Sequence, residues 1–84
     1  MPHLHVPDIL GTRHLHTDDW NVLPSGAAVW LDEDQGPTRV LCDLVADAED
    51  VERELALAVG ARVRIFWEHA QASHGLRLAP CVLA

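Results

Sequence analysis

The chain has no lysine and no tyrosine, one phenylalanine and two cysteines. Each shortage removes a class of chemistry. Without lysine there is no Schiff-base amine and no P-loop ammonium to hold a nucleotide phosphate. Cys42 and Cys81 stand far apart and form no CxxC pair. A zinc ribbon is therefore excluded and a disulfide framework is disfavoured, while one bridge between the two stays open. No apolar run approaches the ~20 residues that span a bilayer. The first ten residues contain His3, His5 and Asp8 and lack a signal-peptide centre. The expected setting is the cytoplasm, with no membrane partner.

What is present is a small acidic domain. Eighty-four residues make one folding unit. A chain this short buries only about 60% of its unfolded surface, so help from a partner is the leading source of extra stability. The formal net charge is −7, and all six basic residues are arginine. Acidity on this scale repels phosphate backbones and puts general nucleic-acid binding at a disadvantage.

Residues 1–11 hold Pro2, Pro7 and Gly11 and read as an extended arm. Residues 12–84 read as the domain. A first strand is expected over 12–17, then a loop over 18–26 in which Trp20, Val22 and Leu23 pin the chain to the core. In Ala27–Leu31 the alternation puts Ala27, Val29 and Leu31 on one face and Trp30 on the other. The polar run Asp32–Pro37 reads as a hairpin loop and lacks the spacing of a calcium loop. Thr38–Val45 returns as a strand with apolar residues on both faces, which implies cover on both sides.

A helix is expected over 47–59. Asp47 caps it, Glu49 and Asp50 suit its positive end, and Val51, Leu55, Ala58 and Val59 form one buried stripe. Glu49 and Arg53 have the spacing of an ion pair, and Gly60 supplies the left-handed stop. A strand over 61–68 follows, with Val63, Ile65 and Trp67 inward. Gln71–Gly75 reads as a turn, and Leu76 and Leu78 begin a last strand interrupted by Pro80, a residue suited to an edge. Three strands, a helix and two strands give a mostly β protein: a small five-stranded OB-fold-like Greek-key barrel with one α-helix between the third and fourth strands. The alternative is an open sheet with the helix across it.

The second half also resembles a known family. Val29–Asp32, Gly36-Pro37-Thr38-Arg39 and Leu44-Val45 lead into the acidic stretch Asp47–Asp50. Gly60, Val63, Ile65, Trp67 and Glu68 follow in one register, then Leu76, Leu78 and Pro80. This order is similar to the OB-fold domain of the acyl-CoA-associated, or thiolase-associated zinc-ribbon/OB, proteins, over roughly residues 27–80. The chain departs from the family in lacking the zinc ribbon and in having a longer segment between Asp50 and Gly60. The resemblance implies a non-catalytic auxiliary subunit that binds a thiolase-like or hydratase-like acyl-CoA enzyme. No cofactor is expected, and the missing CxxC pairs argue against zinc.

The side chains for such a role are the outward aromatics Trp30 and Phe66, with Arg39, Arg62, Arg64 and Arg77 as a local basic face. The same set serves a second reading, a single-stranded nucleic-acid module that stacks bases on the aromatics. A third reading uses His3, His5, His14 and His16, two His-Leu-His triplets whose imidazoles suit zinc, copper or nickel. His16 beside Asp18 or Asp19 is the nearest approach to acid–base catalysis, and no credible nucleophile accompanies it.

Overall fold

A computed structural model describes residues 20–84. The arm, the strand expected over 12–17 and all four candidate metal-ligand histidines lie outside these residues. Among the described residues six strands form one antiparallel sheet with a single α-helix. They are β1 (Trp20–Val22), β2 (Ala28–Asp32), β3 (Gly36–Asp43), β4 (Val63–Ile65), β5 (Gln71–Ser73) and β6 (Leu76–Leu83), with α1 (Ala48–Val59) between β3 and β4. The order across the sheet is β1-β2-β3-β6-β4, and β5 pairs beside β4 along β6. With β6 counted as the last strand, this is the strand order of an OB barrel, its helix in the expected place. Among the described residues β1 and β4 do not pair, so the sheet remains open there.

The helix ends where its local chemistry says it should. The Asp47 carboxylate accepts from the backbone N–H of Glu49 at 2.8 Å and of Asp50 at 3.2 Å. Gly60 closes the helix at φ 78°, its N–H bonded to the Ala56 carbonyl at 2.9 Å. Val51 and Leu55 are buried, and Val59 packs at the margin of the core. Ala58, expected in the stripe, is exposed. Arg53 pairs with Asp50 at 2.9 Å, one turn position short of the expected Glu49. Both partners are exposed, so the pair adds little. Gly60→Val should cost about 2 kcal/mol, because a β-branched side chain resists a left-handed backbone. Chemical denaturation reads this directly, and an unchanged midpoint would contradict it.

Two apolar clusters lie on opposite faces of the sheet. The larger joins Leu23, Ala27, Val29, Val40, Cys42, Ala79 and Cys81 to Val51 and Leu55 of α1 and to Val63 and Ile65 of β4. The smaller holds Trp20, Ala28 and Leu41, with Trp30, Leu76 and Leu78 packed against it. The two tryptophans meet edge-to-face, 5.5 Å apart. This explains the apolar residues on both faces of β3: Val40 and Cys42 serve one cluster, Leu41 the other.

Several boundaries differ from the sequence reading. The expected loop 18–26 contains β1, because Trp20 pairs with Trp30 and Val22 with Ala28. The loop after β2 is shorter than expected, since Asp32 already pairs with Gly36. The Asp32 carboxylate accepts from Asp34 and Gln35 N–H and closes that turn locally. A bulge between Trp30 and Leu31 shifts the register there. Leu31 is consequently 45% exposed, not inside. The expected turn 71–75 is half strand: Ser73 pairs with Leu76, and only His74 and Gly75 turn, both at positive φ.

Pro80 is not at an edge. It lies in β6, opposite Arg39 of β3, and its carbonyl accepts from Phe66 N–H on the other side. In an extended residue N–H and C=O point the same way, so the donor proline lacks is missing on the β4 side. There the neighbouring chain leaves the sheet: β4 stops at Ile65, and Trp67–His69 winds into a 3-10 helix.

Candidate binding face

The smaller cluster's face of the sheet carries most of the polar side chains singled out from sequence. Trp30, Arg39 and Pro80 form one row across β2, β3 and β6. Phe66 reaches the same row through its bond to the Pro80 carbonyl. Two residues further along β6, Arg64 is opposite Val82. The Arg64 guanidinium sits over the Phe66 ring, 4.7 Å from its centroid. Arg62 is one step beyond β4, where its carbonyl accepts from Ala84 N–H at 3.0 Å. Arg39, Arg62 and Arg64 are exposed, and Trp30 and Phe66 are half-buried.

Arg77 belongs elsewhere. It pairs with Cys42 on the core face, donates through Nη2 to the Ala46 carbonyl at 3.0 Å, and lies 4.4 Å over the Trp67 ring. Trp67 Nε1 in turn donates to Glu52 at 3.0 Å. Arg77, Trp67 and Glu52 thus form a clasp tying β6 and the 3-10 helix to α1. A similar tie holds the β1–β2 loop, where the Glu54 carboxylate accepts from Ser25 N–H and Oγ.

A shallow groove of about 400 Å³ opens beside Arg39, lined by Thr38, Arg39, His69, Gln71, Leu78, Ala79 and Pro80. His69 and Gln71 escape the sequence reading because 61–68 reads as one strand and 71–75 as a turn. The available signal was Glu68-His69-Ala70, where the apolar alternation that begins at Val63 stops. The groove offers a guanidinium, an imidazole and an amide over an apolar floor, with no nucleophile except the Thr38 hydroxyl. That hydroxyl is shielded from solvent and has no hydrogen-bond partner among the described residues.

The cysteines are free and buried. Although β3 and β6 are neighbours, Cys42 is opposite Arg77 and Cys81 opposite Ile65. The offset of four residues along β6 amounts to about 13 Å, too far for a bridge. Burial pushes the Cys81 thiol from 9.0 up to about 11, against the pull of the Arg39 charge. At pH 8 the native thiol is therefore neutral and weakly nucleophilic. Both thiols should react with a disulfide reagent in denaturant and neither in the native state; rapid native labelling would contradict this placement. The protonated thiol also favours the folded state. That contribution is intact below pH 9 and is lost as pH rises towards about 11.

Among the described residues no group of His, Cys, Asp or Glu is arranged to hold a metal ion. No helix there is long and apolar enough to cross a membrane. Set against family models, curated proteins and solved structures, the chain matches none of them.

Proposed function

We propose that this domain is a non-catalytic binding subunit that docks on a larger acyl-CoA enzyme, thiolase-like or hydratase-like, and stabilises it. The supporting observation is the face that places Trp30, Arg39, Arg64 and Phe66 together, outside the larger core and open to solvent at the arginines. Aromatic and arginine side chains are those enriched where interfaces gain most of their energy. The choice of enzyme class rests on the sequence resemblance alone. Co-expression with thiolase-like and hydratase-like acyl-CoA enzyme chains, followed by size exclusion and an activity assay, tests the proposal. A stable mixed complex whose activity needs both chains supports it, and a monomer indifferent to every such chain counts against it.

The nucleic-acid reading ranks second. It needs an open ring face at Phe66, and the Arg64 guanidinium already occupies one. The net charge of −7 weakens it further.

A further inference from the structure

Charge is segregated among the described residues. The chain has 13 acidic side chains for 6 basic ones, so any arginine has carboxylates to choose from. Among the described residues only Arg53 has taken one. Arg77 is occupied by Ala46 and Trp67. Among the described residues Arg39, Arg62 and Arg64 have no carboxylate partner, and none of the groove's lining residues is acidic. The acidic side chains of the described residues lie instead on α1 and its N-cap, on the end of β2 and the turn after it, at Asp43 and at Glu68.

We infer that the groove beside Arg39 takes the carboxylates of an extended acidic segment of the partner protein. This rests on the binding-subunit reading above and specifies the partner's chemistry. Arg39 presents a planar fork of donors that fits a carboxylate in two-point contact. His69 and Gln71 add single N–H donors from across the groove, and Leu78, Ala79 and Pro80 give the methylenes of a glutamate an apolar floor. Arg39 and Arg64 flank β6 on opposite sides, two residues apart along it. Strand spacings put their backbones about 12 Å apart. Alternate residues of an extended peptide are about 7 Å apart. With the reach of two arginine side chains, two or three acidic residues at every second position span the pair. The groove is open, not enclosed, which suits a chain lying across it better than a small molecule held inside.

The test uses the whole chain and a fluorescent octapeptide of alternating Glu and Val, read by anisotropy at about 50 mM salt, where surface charges are weakly screened. A peptide with Gln for Glu and a labelled oligothymidine are the comparisons. The expected result is binding of the Glu peptide alone, weakened about tenfold or more by Arg39→Ala and by Arg64→Ala, and weakened by added salt. Both arginines are exposed, so unchanged melting temperatures separate lost contacts from lost folding. Equal binding of the Gln peptide, indifference to both substitutions, or tighter binding of the oligothymidine would each overturn the inference. The two levels separate cleanly. A wild-type chain that captures an acyl-CoA enzyme yet ignores the Glu peptide sinks the acidic-segment inference alone. One that binds the peptide but captures no such enzyme sinks the subunit reading and leaves the groove chemistry standing.

Discussion

Leu55→Ala should lower the stability of this domain by about 3–4 kcal/mol, measured by urea or thermal unfolding. Leu55 is fully buried, and it is where α1 meets the sheet among Val29, Val40, Val63 and Ile65. Removing its outer carbons forfeits their transfer energy and leaves a cavity that neighbouring β-branched side chains are too stiff to fill. A domain of this length has a total stability of only about 4–13 kcal/mol, so the change consumes a large fraction of it. Leu57, two residues on and 80% exposed, is the internal control: its alanine variant should fall within about 0.5 kcal/mol of the parent. Equal effects at the two positions would mean that α1 packs through another face.

Reversing two charges, Arg39→Glu with Arg64→Glu, should abolish partner binding while leaving the fold intact. Both side chains are exposed and neither holds a carboxylate among the described residues. The substitutions therefore remove no structural ion pair. They replace two cations by two anions in a chain that already carries −7, which turns attraction for an acidic partner into repulsion. Losing each desolvated charge pair at an interface costs about 2–5 kcal/mol, so affinity should fall by about a thousandfold or more. Arg77→Ala is the contrasting variant. It should lower stability by loosening the clasp with Trp67 and Ala46, with little direct effect on affinity.

The parts of this fold legible in the sequence are those fixed by neighbours in the chain. Asp47, the Val51–Leu55 stripe and Gly60 define α1 within a dozen residues, and all three do what their types predict. The two-sided cover of β3 was equally legible, because Val40, Leu41 and Cys42 cannot all face one side. The misplaced boundaries have distant causes. The run from Arg62 to Trp67 alternates well enough to continue as a strand. It leaves the sheet at Phe66, beside the position where Pro80, 14 residues later, has no N–H to return. Leu31 is exposed at a register shift where Thr38 of the partner strand is left without an opposite residue, which no period-two reading of β2 alone detects.

The same contrast holds for the binding face. Trp30, Arg39, Arg64 and Phe66 were legible as outward by alternation. Arg77 does not share their face: Leu76 and Leu78 on either side of it point the other way and leave it on the face of Ala79 and Cys81. His69 and Gln71 join the groove only through the 3-10 helix and β5, two elements without a periodic signal.

Amide hydrogen exchange of the captured complex tests the central claim most directly, because it reports which face the partner covers. Docking on the aromatic–arginine face predicts slowed exchange in residues 62–70 and at the β3 and β6 backbone around Arg39 and Val82, with the exposed side of α1 around Arg53 and Leu57 unchanged. Protection confined to α1, or absent from the whole domain, would contradict it.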